Sequence, residues 1–285
     1  MDKNKHEAKD SKFLPVFSIK SGQGVEVLPD LYSYTNQIVN VICVGNPEET
    51  DEWVLVDTGM PKSSGAIKKM VEKRFGEGSR PKAIILTHGH FDHVGAAVDL
   101  AEEWGVKVYA HPDELPYLTG ELSYPEPDAS VEGGMVAKMS PMYPNKPVNL
   151  GDSVEALPSD GTVPYMDGWE WIHTPGHTPG HVSLFRERDR TLIAGDAFVT
   201  VKQESLYKVL TQNLEFTGPP RYLTTDWKSA KRSVEKLEAL KPAVAVTGHG
   251  KPVSGSELQE GLEKLVKNFE SIAVPDHGKF VEDKD

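Results

Sequence analysis

Residues 88–93 read His88-Gly89-His90-Phe91-Asp92-His93, three imidazoles and one carboxylate within a single turn's length of chain. Nitrogen and oxygen donors at that density suit borderline divalent metals, zinc above all. One turn rarely completes such a site, because coordination geometry needs donors arriving from other directions. Three further turns offer them: Thr174-Pro175-Gly176-His177-Thr178-Pro179-Gly180-His181, Ala194-Gly195-Asp196-Ala197, and Thr247-Gly248-His249-Gly250. In each, a metal-binding side chain stands close to a glycine that lets backbone come near.

The elements around these turns must aim the donors. Ala83 to Leu86 is a short branched apolar run that reads as a buried strand, and Val94, Ala97, Val98 and Ala101 recur at helical spacing up to Gly105. The 88–93 run is therefore expected to lead from a strand end into a helix that begins at His93, with Asp92 and His93 in its favourable dipole field. Strands are also expected at 41–44, 54–56, 106–110, 169–173, 182–185, 191–194 and 243–246. Helices are expected over Ile67 to Phe75 with Gly76 as a stop, over about 226–240, and from Ser256, where Ser256 and Gln259 fit a capping box. Ala83 to His90 and Ala243 to Gly250 share a strand, a threonine, then histidine and glycine, which hints at two halves meeting at the site. From Leu118 to Gly168 the periodicity fails in a stretch rich in Pro, Gly and Met, the pattern of an inserted loop or lid.

The chain has 285 residues, 26% charged and 38% hydrophobic, which is the balance of a globular protein. Its net charge of -12 opposes binding to nucleic acid or to an anionic membrane. The single cysteine, Cys43, sits in the apolar run 41–44 and reads as inert core. Met1 to Lys12 is polar and charged, unlike a signal peptide, so the expectation is a cytoplasmic protein with a flexible tail at 1–12, one domain over 13–275, and a second tail at 276–285.

Taken together, the 88–93 run with His177, Asp196, His249 and the early Val56-Asp57-Thr58-Gly59 resembles the metallo-β-lactamase superfamily of metallohydrolases over about residues 24–270. The resemblance implies an α/β fold of the four-layer αββα kind, two mixed sheets face to face with helices on the outer faces. It implies that His88, His90 and His177 bind one metal, that Asp92, His93 and His249 bind a second, and that Asp196 bridges the two. The metal implied is zinc, two ions per chain, with iron or manganese as substitutes. Histidine at position 90 is closer to the zinc hydrolases than to the di-iron oxygen reductases, which have glutamate there. Asp57 either caps the following helix or accepts a hydrogen bond that orients a ligand imidazole, and His181 is read as a second support of the ligand set. His173 and His111 read as structural, and His6 and His277 as solvated.

The chemistry this implies is hydrolysis by a metal-bridging hydroxide, with Asp92 as the catalytic proton shuttle. The expected substrate is a small molecule with an ester, thioester or lactone bond, and Lys202, Tyr207 and Tyr143 are candidate substrate contacts. Phosphodiester and β-lactam hydrolysis are alternatives, as is a single-iron dioxygenase acting on a thiol or persulfide through His88, His177 and Asp196. Glyoxalase II-like thioesterases carry a C-terminal helical domain with basic residues for glutathione, whereas one expected helix and a tail follow His249 here, so glutathione thioesters are the less expected substrates. The chain also has Val199 where the resembling lactonases carry a catalytic tyrosine, and valine has no hydroxyl to offer.

Overall fold

Val39 to Val44 carries six buried residues in succession, which a strand can bury only when both of its faces are covered. A computed structural model of the chain describes residues 21–132, 138, 140, 148–201 and 214–281 and supplies both covers. Val41 and Cys43 enter one core, Ile42 and Val44 another, as the alternation of a pleated strand requires.

Among the described residues, β1 (Gly24–Leu28), β2 (Leu31–Asn36), β3 (Val39–Val44), β4 (Val54–Val56), β5 (Ala83–Ile85), β6 (Lys107–Ala110) and β7 (Val154–Ala156) form a seven-stranded sheet in chain order. Neighbours are antiparallel from β1 to β4 and parallel from β4 to β7. A second sheet holds β8 (Trp169–His173), β9 (Val182–Arg186), β10 (Thr191–Gly195), β11 (Val244–Thr247) and β12 (Val253–Ser254), in the order β12-β11-β10-β9-β8. Here β10 and β11 are parallel and the other pairs antiparallel. Parallel neighbours need a long crossover. Helix α1 (Ser64–Phe75) joins β4 to β5, α2 (Ala97–Trp104) joins β5 to β6, the short α3 (Leu115–Leu118) lies between β6 and β7, and α4 (Trp227–Ala239) lies between β10 and β11. Helices α5 (Gly255–Lys267) and α6 (Phe269–Ile272) follow β12.

Among the described residues, three large apolar cores define four layers. Ile67, Met70 and Val71 of α1 and Leu100, Ala101 and Trp104 of α2 pack on Cys43, Leu55 and Ile84. Between the sheets, Ile42, Val56 and Ile85 meet Val182, Leu184, Ile193 and Val246. On the far side, Phe185, Leu192 and Ala245 meet Trp227, Val234 and Leu237 of α4 and Leu258 and Leu262 of α5. Strands β3, β4, β5, β9, β10 and β11 thus alternate between the inner core and an outer one, and emptying a large position among them, Ile84→Ala for instance, costs about 2–5 kcal/mol. The expected αββα sandwich is the fold observed.

Several local expectations are corrected. The 88–93 run does not start a helix: residues 91–96 form successive turns and α2 begins at Ala97. Asp92 and His93 therefore gain nothing from a helix dipole. His93 and Val94 N–H donate to His90 O (2.9 and 3.1 Å) in a single turn, but His93 O accepts from Thr58 N–H (2.7 Å), and Ala97 N–H goes to Val94 O (3.0 Å), so no helical ladder runs on from that turn. The capping box at Ser256 is not formed, because α5 already starts at Gly255 after an extended Ser254 that makes no side-chain cap. The stretch 118–168 is not a lid throughout. Val154 to Ala156 adds an edge strand to the first sheet, and Leu157, Val163 and Met166 pack between the sheets. This edge strand, Val154-Glu155-Ala156, is only three residues long and largely exposed, too short for a periodic signal in the sequence. The tail expected at 276–285 is pinned at its start, where Asp276 N–H donates to Glu132 at 2.7 Å and Lys279 N–H donates to Asp128. Among the described residues no helix is long and apolar enough to cross a membrane. The tail at 1–12 and the candidate contacts Tyr143, Lys202 and Tyr207 lie outside the described residues.

Candidate metal centre

The donors come from strand ends on one rim of the sandwich. Asp57 follows β4, residues 88–93 follow β5, Asp196 follows β10, His249 follows β11, and His177 lies in the turn between β8 and β9. All seven metal-type side chains are buried, between 0% and 4% exposed. Three donor groups have their atoms within 4.8 Å of one another: His88, His90 and His177; His88, His93 and Asp196; Asp92, His93 and His249. Asp196 Oδ2 stands between the outer groups, 3.6 Å from His177 Nε2 and 3.3 Å from His249 Nε2. Asp92 Oδ2 lies 3.3 Å from the same His249 nitrogen.

The hydrogen-bond partners fix which nitrogen of each ring is free. Asp57 accepts from His93 Nδ1 at 2.7 Å, leaving His93 Nε2 facing the site. The Thr87 hydroxyl donates to Asp57 Oδ2 (2.8 Å), so it accepts from His88 Nδ1 at 3.0 Å and leaves His88 Nε2 free. Thr224 donates to Pro220 O and accepts from His177 Nδ1 at 3.0 Å, and Ile38 O accepts from His249 Nδ1 at 2.8 Å. His90 is reversed, with Nδ1 inward and 2.9 Å from His177 Nε2.

A cation fits this arrangement. His88 Nε2, His93 Nε2, Asp92 Oδ1 and Asp196 Oδ1 are buried with no hydrogen-bond partner. Two of these are carboxylate oxygens, and a buried polar atom left without a partner costs free energy. A bound cation is the compensation this donor set offers, since it takes unprotonated imidazoles and carboxylates together.

Before a cation binds, the two sides carry different charge. Burial pushes His88 and His177 well below the ordinary histidine value, with neighbouring imidazoles adding to the effect. Burial likewise lowers His90 to about 4, against the pull of Asp92. At His93 and His249 burial also acts downward, yet Asp196 outweighs it with help from Asp57 and Asp92 at the first ring and Asp92 at the second. His93 ends well above its ordinary value and His249 at about 10. Burial alone would raise Asp196, and the His249 and His93 cations instead hold it well below the carboxylate range.

The supporting residues fall where the sequence suggested and in places it did not. Asp57 does not cap α1, whose N-cap position is Ser63. It takes a left-handed backbone (φ 59), which turns its carboxylate back onto Thr87 and His93. His181 Nε2 accepts from Asp196 N–H at 2.9 Å while its Nδ1 faces Thr174, so it fixes Asp196 at the backbone. Thr87, Thr224 and Glu114 were missed. Thr224 is 47 positions from His177 and no local pattern joins them. His111, Asp113 and His173 also gather their donors, but the two rings stack at 4.2 Å and 11°, so their in-plane lone pairs do not converge.

The sequence model of the metallo-beta-lactamase superfamily matches residues 34–249. A Bacillus subtilis (strain 168) protein named probable metallo-hydrolase YflN is 46% identical over 260 residues, covering 91% of this chain and 98% of that protein. A Haemophilus influenzae protein named hydroxyacylglutathione hydrolase GloC is 32% identical over 117 residues, 40% of this chain and 49% of that one. Among solved structures, a metallo-beta-lactamase family protein of Thermus thermophilus superposes with a TM-score of 0.57 at 21% identity, covering 86% of this chain and 81% of its own.

Proposed function

This chain belongs to the metallo-β-lactamase superfamily of metallo-hydrolases, and from that premise we propose that it is a two-zinc hydrolase of small acyl compounds. The observation that carries the reading is the convergence of four orphaned buried donor atoms, supplied by turns of both sheets. His88, His90 and His177 would hold one metal, Asp92, His93 and His249 the second, with Asp196 shared. When bound, the metals activate a water at neutral pH and polarise the substrate oxygen.

The chain's own residues do the rest. Thr87, Thr224, Asp57 and Ile38 hold the rings in the tautomers that present a lone pair. Burial would raise Asp92, but His93 and His249 keep it below its ordinary value and ionised. It can therefore take the proton that the attacking water releases and return it to the leaving oxygen or sulfur as the acyl bond breaks. The name of the Haemophilus relative describes cleavage of an acyl-glutathione, which supports including thioesters with esters and lactones. A single-iron oxygenase would use His88, His177 and Asp196 and leave Asp92, His93 and His249 converging without a role, so the second donor group favours the hydrolase.

The test is a panel of esters, thioesters and lactones presented to zinc-loaded protein. Hydrolysis of at least one acyl class is expected, abolished by chelation and restored by zinc. One tightly bound iron with oxygen uptake on a persulfide, and no acyl hydrolysis, contradicts the proposal.

A further inference from the structure

Glu114 is the most deeply buried carboxylate among the described residues, 0% exposed, and it is not one of the metal-type donors. It ends the short turn Pro112–Glu114 after β6. Its Oε1 accepts from Thr178 Oγ1 at 2.6 Å and Gly180 N–H at 2.8 Å. Its Oε2 accepts from Gly89 N–H at 2.9 Å and from the Tyr124 hydroxyl. Gly89 stands between His88 and His90, and Thr178 follows His177. One side chain thus ties a loop of the seven-stranded sheet to a loop of the five-stranded sheet. At the base of the two loops Val182 N–H donates to Thr87 O at 2.9 Å, and Glu114 supplies the ties further out.

We propose that Glu114 is a positioning residue of the metal centre: its carboxylate clamps the His88–His90 loop to the His177 loop and sets the gap that the first metal fills, with Tyr124 completing the clamp. The inference rests on the metal-binding reading of the site. The donor count supports it, because four donors meet a group with four acceptor positions, which an ionised carboxylate offers and an amide does not. The glycines support it independently. Neither Gly89 nor Gly180 has a positive φ, so neither is needed for its backbone conformation. A Cβ on Gly89 would meet the Tyr124 hydroxyl at 2.5 Å, and one on Gly180 would meet Glu114 Cγ at 2.8 Å. Both positions are small because the clamp sits on them. Tyr124 adds a direct contact, its ring centroid lying 4.6 Å from that of His90 while the ring also stacks on Tyr117 at 4.1 Å.

The test uses full-length protein stripped by chelation and titrated with cobalt(II), read by its visible absorption as well as by affinity. Glu114→Gln turns an amide NH₂ toward one pair of donors. It is expected to weaken cobalt binding at the His88–His90–His177 group by about 10–100-fold and to shift that group's absorption band, with the other group's affinity unchanged. Tyr124→Phe keeps the ring against His90 and is expected to shift the same band less. A purely structural role lowers the melting temperature of the metal-free protein and moves neither band nor affinity. A folded Glu114→Gln protein with the wild-type spectrum and affinity overturns the clamp. If that variant does not fold, Tyr124→Phe and Thr178→Val decide, and wild-type spectra in both overturn it. Wild-type protein that takes up no cobalt defeats the metal reading and the clamp with it, whereas a wild-type band with unshifted variants defeats the clamp alone.

Discussion

The His88–His90–His177 group and the Asp92–His93–His249 group share the 88–93 loop, yet they hold their imidazoles by different means. In the first, the backing acceptors of His88 and His177 are the neutral hydroxyls of Thr87 and Thr224. In the second, His93 is backed by the Asp57 carboxylate, His249 by the Ile38 carbonyl, and Asp92 and Asp196 lie against the rings. The first group is neutral and ready for a cation. The second is charge-compensated by protons on His93 and His249, which an incoming cation must displace. Burial is equally complete on both sides, so the placement of carboxylates, not depth, makes the difference.

The largest effect is expected at the residue common to both groups. Asp196→Ala should lower metal content at both and reduce hydrolysis by roughly a thousandfold or more. Metal analysis after gel filtration, paired with turnover on the same sample, checks it. Full activity in a folded Asp196→Ala protein contradicts the shared role.

The second prediction separates the groups by pH. Metal affinity at the Asp92–His93–His249 group should rise with pH between 6 and 8, roughly tenfold per unit for each proton released. The other group should stay nearly flat over that range, because His90 titrates at about 4 and His88 and His177 lie well below their ordinary value. Competition with a chromophoric chelator at several pH values measures both constants, and parallel pH slopes would abolish the distinction.

Supports of unlike charge give a finer separation. Asp57→Asn removes the charged acceptor behind His93 and should weaken metal binding in its group by about 10–100-fold, with Thr224→Val at the low end of that range in the other group. Equal losses in the two variants would show that the acceptor's charge is immaterial.

The seven side chains that converge on the rim could be picked out in the sequence because each lies in a short strand-end turn whose flanking residues are local. The apolar runs 41–44 and 191–194 and the helical spacing over about 226–240 likewise exposed the layers. What stayed hidden depends on contacts across the chain. Glu114 lies 25 positions from Gly89 and 66 from Gly180, and within His111-Pro112-Asp113-Glu114 it reads as an ordinary acidic turn. The late start of α2 was missed for a related reason. Val94 and Ala97 fit a helical stripe, but His93 O and Gly95 N–H on either side of Val94 are held by Thr58 and Gly59, and these tertiary hydrogen bonds override local preference. Edge strand β7 was invisible because three largely exposed residues are too few to show a strand period.

The smallest expected effect is on the metal-free fold. His249 is raised from 6.5 to about 10, so its stabilisation is fully present below pH 6.5 and is lost as pH rises through about 10. His90 is depressed to about 4, so its contribution is present above pH 6.5 and is lost as pH falls through about 4. The melting temperature of chelated protein should therefore fall on both flanks, by on the order of a few degrees, the alkaline flank from one group and the acid flank from the other.

The most direct test of the two-metal account is to titrate chelator-stripped protein with zinc while following hydrolysis of an acyl substrate from the panel. The account predicts hydrolysis that climbs to a plateau at two equivalents, with the weaker step moving to tighter binding as pH rises from 6 to 8. Saturation at one equivalent at every pH, with full activity already reached, would contradict it.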